Sequence, residues 1–245
     1  MRVIIYGDIH GCLNELKLLR KKIGVTKEDI EVSVGDFIGK GQYSKETLCY
    51  LQEHSIKAIR GNHEDKFLRY YYHEQRFLTQ GIANPMQLSA KEQEIYKSLD
   101  KEDFVFLQSL PLFLQFNALT VIHGGILPST NLAKLDKKSA AQVMRVRYLD
   151  VHGRFVALDD ADPHIHFWWS ELYDGRYGYV VYGHQPFLYP RVDRWSFGID
   201  TGAVYGNRLT AIVFADAKTP FCYELFDVPS QTYAKKSKPW IVSDL

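Results

Sequence analysis

The chain has 245 residues, of which 46% are hydrophobic, and its 30 basic and 29 acidic residues give a formal net charge of +1. A chain of this length and composition can bury a substantial core and fits one large α/β domain. The near-zero net charge excludes a general electrostatic attraction to nucleic acid or to anionic membranes.

Strands and helices alternate through the first sixty residues. An apolar strand near 2–7 precedes a stretch at 14–24 whose leucines and isoleucine fall at helical spacing. A second strand near 30–36 precedes a helix for which Ser44 is the predicted N-cap, and a third strand follows near 56–60. This alternation predicts parallel strands joined by crossover helices.

The remainder of the chain is first helical and then rich in strands. Residues 63–110 have a mainly helical pattern. Strand patterns return at LTVIHGG (119–125), GYVVYGH (178–184), FGID (197–200), LTAIVFAD (209–216) and FCYELFD (221–227). We predict one domain over 1–235, with 63–110 as a helical cap or side wall within it and 236–245 as a flexible tail.

Polar side chains follow five of the predicted strands at the point where each strand ends. They are Asp8 with His10, Asp36, Asn62 with His63, His123, and His184. The loops beyond the carboxyl ends of strands in an α/β sheet meet at one rim, so we expect these side chains to converge. Each lies near a glycine, which lets a loop approach a bound ion or phosphate closely.

These residue types predict a metal site. Carboxylate, amide and imidazole groups suit divalent first-row metals such as manganese, iron, zinc or cobalt, and the absence of cysteine from this set of side chains disfavours thiolate zinc. Six ligands exceed what one catalytic ion with open positions needs, so two ions sharing a carboxylate are favoured. The six are Asp8, His10, Asp36, Asn62, His123 and His184. Any one of these motifs alone is more often a turn or a hydrogen-bonded core histidine. Five of them in this order favour a common site.

The motifs GDIHG, GDFIGKG, GNHE, HGG and GH together resemble those of the calcineurin-like metallophosphoesterases, over residues 7 to about 215. Within that superfamily they resemble the branch of the serine/threonine protein phosphatases and symmetrical diadenosine tetraphosphate hydrolases. The stretch at 198–212 is most similar to the bacterial tetraphosphatase-like subset. The resemblance implies an α/β sandwich of central mixed sheets flanked by helices, with the metal site at the carboxyl ends of the strands.

The resemblance also divides the six ligands between two metal ions. It implies one ion bound by Asp8 and His10, a second bound by Asn62, His123 and His184, and Asp36 as the bridge between them.

The same resemblance implies the chemistry. Asp36 and His63 are the implied catalytic residues, with His63 contacting the phosphate or protonating the leaving oxygen. A hydroxide that bridges two metal ions would attack phosphorus in line, without a covalent intermediate. Manganese is the preferred ion, with iron, zinc, cobalt or magnesium as alternatives.

Three departures from the family pattern affect this expectation. Gly39 and Lys40 replace the aspartate and arginine that protein phosphatases usually have at the second motif. The orienting partner of His63 is therefore missing from its usual place, and Lys40 recognises phosphate less directionally than arginine does. Pro186 replaces the second histidine of a G-H-x-H motif, so the first metal has fewer protein ligands and keeps waters.

Further cations are expected to assist Lys40 in binding substrate. Arg145 and Arg147 fall on one face of a predicted strand, and Arg147 lies in an element that resembles M-R-Y of the tetraphosphatases. Arg147 either touches substrate or forms a surface ion pair, and Arg176 is a second candidate. Glu64 either steadies the site or forms an ordinary salt bridge.

The principal prediction is a phosphatase of phosphomonoesters, including phosphoserine and phosphothreonine in proteins. The alternative is a hydrolase of dinucleoside polyphosphates, such as diadenosine tetraphosphate, or of capped RNA ends. Lys40 and residues 198–212 favour this alternative. The lack of an evident nucleobase pocket or basic stripe in the sequence argues against it. A third hypothesis is a noncatalytic scaffold with the same fold.

The expected partner is a phosphorylated substrate, either a phosphoprotein or a nucleotide polyphosphate. We expect no binding to membranes and no strong binding to nucleic acid. We predict a soluble, cytoplasmic protein. The three cysteines lack C-x-x-C spacing, and the sequence has neither a signal-peptide pattern nor a long apolar run.

Overall fold

The structure, a computed structural model, describes residues 1–235. The strands in this part of the chain are β1 (Val3–Tyr6), β2 (Ile30–Ser33), β3 (Lys57–Ala58), β4 (Phe113–Phe116), β5 (Leu119–Ile122), β6 (Tyr148–Leu149), β7 (Phe155–Val156), β8 (Phe167–Trp168), β9 (Tyr179–Tyr182), β10 (Arg191–Asp193), β11 (Ser196–Gly198), β12 (Arg208–Phe214) and β13 (Tyr223–Pro229). The α-helices are α1 (Leu13–Ile23), α2 (Ser44–Glu53), α3 (Asn62–Gln80), α4 (Ala90–Ser98), α5 (Lys101–Ser109) and α6 (Lys137–Val143).

Most of these strands form two mixed five-stranded sheets. The first has the order β13-β12-β1-β2-β3 and the second the order β10-β11-β9-β5-β4. Strands β1, β2 and β3 run parallel in the first sheet, as do β5, β9 and β11 in the second. A small antiparallel sheet has the order β7-β6-β8. The predicted fold class, mixed sheets flanked by helices, is confirmed.

Strand β1 shows why the sheets stack. All four of its residues are buried, which is typical of a strand covered on both faces. Val3 and Ile5 share a buried cluster with residues of β5, β9 and β11, so this face lies against the second sheet. Ile4 and Tyr6 share another cluster with leucines of α1 on the opposite face. Alternate residues of one strand therefore serve two layers of the sandwich.

The connection from β1 to α1 is short and carries the first predicted ligands. Helix α1 buries Leu16, Leu19 and Ile23 on one face and ends at Gly24, whose φ of 64° is left-handed. The Gly24 N–H bonds the open carbonyls of the last turn, as a helix-terminating glycine does. The helix is thereby fixed on the sheet, and only residues 7–12 separate it from β1.

Two local predictions are wrong. Ser44 is the first residue of α2 and not its cap; Tyr43 occupies the cap position, and the Ser44 hydroxyl accepts a hydrogen bond from the Gly39 N–H at 3.1 Å. Arg145 lies in a turn after α6, Arg147 lies in irregular chain after that turn, and the following strand has only two residues. The two arginines are therefore not on one face of a strand.

The helical pattern of residues 63–110 corresponds to helices α3, α4 and α5. Its role as a cap or side wall stays a prediction, and the predicted tail at 236–245 lies outside the described residues. No helix within residues 1–235 has the length and apolar character needed to cross a membrane.

Candidate metal centre

The predicted ligands converge where the carboxyl ends of the strands of both sheets meet. Two groups of side chains have candidate ligand atoms within 4.8 Å of one another. One group is His10, Asp36 and His63, and the other is Asp36, His123 and His184. Asp36 belongs to both groups, which is the position that a bridging carboxylate needs.

Asn62, His123 and His184 form the second half of the cluster together with Asp36. The Asn62 Oδ1 lies 3.0 Å from the His123 Nε2, and that nitrogen lies 3.4 Å from the Asp36 Oδ2. The rings of His123 and His184 are 5.1 Å apart between centroids. Four potential ligands thus face one small volume.

Backbone carbonyls set the orientation of two of these rings. The His123 Nδ1 lies 2.8 Å from the Val34 carbonyl oxygen, and the His184 Nε2 lies 3.1 Å from the Arg145 carbonyl oxygen. A carbonyl only accepts, so each of these nitrogens carries its proton. The His123 Nε2 and the His184 Nδ1 are left as lone-pair donors, which is how hydrogen bonds outside a metal site orient its ligands.

Asp8 and His10 form the first half. The His10 Nε2 lies 3.9 Å from the Asp8 Oδ2 and 3.7 Å from the Asp36 Oδ2. The His10 Nδ1 lies 3.2 Å from the Ile38 carbonyl, so Nδ1 carries the proton and Nε2 carries the lone pair. The two Asp8 oxygens accept the His184 N–H at 3.1 and 3.2 Å, and this bond links the two halves.

The carboxylates of the cluster are crowded. Burial, followed by the charges of Asp200 and Asp36, raises the pKa of Asp8 well above its usual range. Burial also raises the pKa of Asp200, which is 5% exposed. Although burial opposes it, the proximity of His123 and His63 holds the pKa of Asp36 low. Buried like charges that act on one another call for a cation between them, and the donor set of carboxylates, imidazoles and an amide fits divalent metal ions.

Three of the proposed ligands have left-handed backbone conformations. The φ angles are 47° for His10, 50° for Asp36 and 68° for His184. Each such conformation of a non-glycine residue costs on the order of 1–3 kcal/mol and persists only where its surroundings enforce it. Strain of this kind is concentrated at functional sites.

Two glycines let the strands approach one another at the site. A Cβ at Gly183 would overlap the Asp8 carboxylate, and a Cβ at Gly61 would overlap that of Asp36. Any side chain at either position would displace a proposed ligand. A glycine beside a proposed metal ligand therefore lets a neighbouring loop approach that ligand closely.

Glu64 supports the loop that carries Asp36. Its carboxylate is fully buried and accepts the backbone N–H groups of Asp36 at 2.8 Å, Ile38 at 3.2 Å and Gly61 at 2.8 Å. Burial, with the nearby Asp36 charge, raises the pKa of Glu64 to about 7. Of the two roles considered for Glu64, this geometry favours steadying the site over an ordinary salt bridge.

The His63 side chain is 13% exposed, against 4% for His10 and 3% for Asp36. Its Nε2 is 4.0 Å from the Asp36 Oδ2, its ring packs edge-on against His10, and burial lowers its pKa to about 4. Its Nδ1 is buried without a hydrogen-bond partner among residues 1–235. A Cβ at Gly39 would lie 2.7 Å from this nitrogen, so the usual acidic partner is missing from the place that the sequence indicated.

Two of the predicted substrate-binding cations face the cluster. The Lys40 Nζ lies 3.3 Å from the His10 Nε2 and 5.1 Å from the centre of the Tyr205 ring. Arg147 donates from Nη2 to the His184 carbonyl at 3.2 Å, and its buried Nε has no partner within the described chain. Burial lowers the pKa of Arg147, and the negative charges of Asp200 and Asp36 oppose this.

Arg176 is not brought to the cluster. Its Nε pairs with the Asp174 Oδ1 at 3.0 Å, and its Nη1 donates to the Pro128 carbonyl at 2.7 Å. None of its contacts in the described part of the chain involves a proposed ligand. Local hydrogen bonds hold this side chain, and its role in assisting Lys40 stays a prediction.

Sequence reasoning missed Asp200 and Tyr205 as parts of the site. Asp200 follows strand β11 as the other donors follow their strands, so the same signal could have found it. Tyr205 lies in the stretch that resembles the tetraphosphatases, but only the fold shows that its ring contacts Lys40.

Comparison with known proteins agrees with this geometry. The family profile for calcineurin-like phosphoesterases matches residues 1–217. The bis(5'-nucleosyl)-tetraphosphatase PrpE (asymmetrical) of Oceanobacillus iheyensis is 32% identical over 256 residues, covering 92% of this chain and 96% of that protein. The protein of the same name from Bacillus subtilis is 29% identical and covers 88% of this chain and 91% of its own length.

Solved structures share the fold. A crystal structure of a protein assigned as a diadenosine tetraphosphatase aligns with a TM-score of 0.73 at 24% identity, over 94% of this chain and 93% of that one. A serine/threonine protein phosphatase of Saccharomyces cerevisiae aligns with a TM-score of 0.52 at 16% identity, over 97% of this chain and 82% of its own. The curated relatives named here are asymmetrical tetraphosphatases, whereas the sequence motifs had pointed to the symmetrical ones.

Proposed function

The chain belongs to the calcineurin-like phosphoesterase family and is a hydrolase of phosphoric esters or anhydrides, and from this premise we propose that its substrate is a dinucleoside tetraphosphate. We further propose asymmetrical cleavage, to a nucleoside triphosphate and a nucleoside monophosphate. Two divalent metal ions, preferably manganese, would be held by the ligands Asp8, His10, Asp36, Asn62, His123 and His184.

The observation that carries this choice is the similarity to tetraphosphatases over nearly the whole chain. The Oceanobacillus iheyensis protein is covered over 96% of its length, whereas the yeast protein phosphatase supports the fold alone. The alternative prediction is therefore better supported than the principal one, a protein phosphatase. A noncatalytic scaffold is disfavoured because all six ligand positions and His63 are retained.

The described residues provide for each part of the reaction. When bound, two divalent ions would activate water as the nucleophile and stabilise charge on the phosphoryl oxygens. Asp36 would position both ions because it belongs to both ligand groups. The water oxygen would bond to phosphorus while the bond to the leaving phosphate oxygen breaks, and His63 would hydrogen-bond or protonate that oxygen.

Lys40 and Arg147 would bind the nonbridging oxygens of the phosphate. Lys40 approaches from the side of His10, and Arg147 approaches from the side of His184. The unpaired Arg147 Nε supplies a donor that the protein itself leaves without an acceptor. Charge-assisted hydrogen bonds of this type are short and strong.

A comparison of substrates tests the proposal. Metal-stripped protein would receive manganese, magnesium, zinc, iron or cobalt and then diadenosine tetraphosphate, para-nitrophenyl phosphate, a phosphopeptide or capped RNA. We expect the highest kcat/KM for the tetraphosphate with manganese, and ATP with AMP as products. A higher kcat/KM for the phosphopeptide would restore the protein-phosphatase prediction. No turnover with any metal would favour the scaffold.

A further inference from the structure

A cleft beside the candidate metal centre has no assigned role. It has a volume of about 370 Å³, and its charged lining consists of Arg60, Asp65, Arg69, Lys137 and Arg145. This volume lies within the roughly 300–1,000 Å³ that ligand pockets occupy. We refer to it as the cationic cleft.

The cationic cleft adjoins the second half of the metal centre. Asp65 lies three residues after Asn62 on α3, and residues at this helical spacing are neighbours. Arg145 lines the cleft, and its carbonyl oxygen accepts the bond that orients His184. A molecule extending from the metal centre in this direction would enter the cleft.

The charges of the cleft are unbalanced. Arg69 and Arg145 share the Asp65 Oδ2, at 3.0 and 2.7 Å. Arg60 donates to the backbone carbonyls that end α5, and its Nε is buried without a partner among the described residues. Lys137 is exposed and makes no ion pair within residues 1–235. The lining of the cleft therefore carries four cations and a single carboxylate.

An excess of guanidinium and ammonium groups beside a phosphate-hydrolysing site suits a second phosphate-bearing part of the same substrate. A phosphomonoester has no such part, but a dinucleoside tetraphosphate extends from the attacked phosphorus by further charged phosphates. We propose that the cationic cleft binds the polyphosphate arm of the substrate beyond the phosphorus that is attacked. This inference rests on the proposed function and assigns Arg69 and Lys137 as residues that determine specificity.

The test compares two matched double variants. The cleft variant, Arg69→Gln with Lys137→Gln, removes two cations that line the cleft. The control variant, Arg76→Gln with Lys138→Gln, removes two exposed cations of the same two helices, and neither of these residues lines the cleft. Lys137 and Lys138 both lie in the first turn of α6, so either change affects the helix dipole similarly. Arg60 and Arg145 are left intact because they also hold backbone groups.

The first measurement is independent of catalysis. Inorganic tripolyphosphate is titrated calorimetrically into metal-stripped protein at low ionic strength. We expect the cleft variant to bind about tenfold more weakly than the control variant, the loss typical of removed charge-assisted contacts. Equal binding by the two variants, or no binding by the wild type, would overturn the inference.

The second measurement separates the inference from the proposed function. We expect the cleft variant to raise KM for diadenosine tetraphosphate about tenfold and to leave kcat/KM for para-nitrophenyl phosphate unchanged. Unchanged KM for the tetraphosphate overturns the role of the cleft, while the proposed function stands. A wild type inactive on the tetraphosphate contradicts the proposed function and with it the assigned substrate arm. A KM increase confined to a phosphopeptide would also overturn the inference, because the cleft would then bind acidic peptide.

Discussion

The two ends of strand β1 carry charged groups with opposite arrangements. At the amino end, Arg2 donates from Nε and Nη2 to the two oxygens of Asp29, at 2.9 and 2.6 Å, and Nη2 also bonds the Gly24 carbonyl at 3.0 Å. The hydrogen bond from Arg2 lowers the pKa of Asp29 to about 2. Arg2 and Asp29 thus neutralise each other within the chain itself.

At the carboxyl end of β1, Asp8 lies beside Asp36 and Asp200. Burial and this mutual repulsion raise the pKa of Asp8. The comparison shows how to distinguish a structural charge from a functional one. Charges that the chain neutralises hold the fold together, whereas buried like charges without sufficient partners indicate a bound cation.

The largest effect expected from this comparison is that of Asp36→Asn. The substitution removes the carboxylate that belongs to both ligand groups, so we expect activity to fall on the order of 10³-fold or more. Bound metal, measured by elemental analysis, should fall with it. The metal-free variant should unfold at a lower temperature than the metal-free wild type, because the low pKa of Asp36 means that its charge stabilises the folded protein at neutral pH. Near-normal rates would show that the bridging role is wrong.

His63→Asn should have the next largest effect. We expect kcat to fall about 10²-fold, the usual contribution of a group that transfers a proton, with both metal ions still bound. His54, which is exposed and stacks on Tyr50, provides the control, and His54→Asn should change neither quantity. Loss of metal from the His63 variant would instead indicate that His63 is a ligand.

Removal of metal should lower the thermal stability of the protein through the ligands at the carboxyl end of β1 alone. A ligand at one hundred times its Kd stabilises the folded state by about 2.7 kcal/mol, which in a domain of this size is about 5–10 °C in Tm. We expect this shift when manganese is added to stripped wild-type protein, and no shift for Asp36→Asn. An equal shift in both proteins would place the stabilising ion elsewhere.

The smallest effect is expected at the amino end. The pKa of Asp29 is about 2 in the folded protein against an ordinary 3.8, so the ionised form stabilises the fold above about pH 4 and this contribution is lost as the pH falls toward 2. Asp29→Asn should lower the free energy of unfolding by about 1 kcal/mol at pH 7, because Arg2 is partly exposed. The difference should vanish near pH 2, and activity at pH 7 should not change. Denaturant titrations at both pH values check this.

The sequence predicted most of the carboxyl end because its donors follow a rule of position. Asp8, Asp36, His123 and His184 each come directly after a strand, and strand ends meet at one rim. Asp200 obeys the same rule and was missed because its stretch was used only for the family resemblance.

Other features could not be predicted because they depend on contacts between distant segments. The turn at Arg145 forms where two glycine N–H groups, from Gly124 and Gly125, bond the Val143 carbonyl. No local sequence pattern predicts this contact. The cationic cleft likewise gathers side chains from the α3 region and from α6, which are some seventy residues apart. Arg176 has the charge that a phosphate-binding residue needs, but its ion pair with the nearby Asp174 depends on loop geometry that the sequence does not show.

The left-handed backbone at His10, Asp36 and His184 has a consequence for laboratory evolution. Glycine tolerates such conformations freely, whereas histidine and aspartate do not. A library selected only for heat resistance without metal should accumulate glycine at these three positions, and the resulting proteins should be robust but inert. Thermostability screens on this scaffold therefore need activity as a second criterion from the first round.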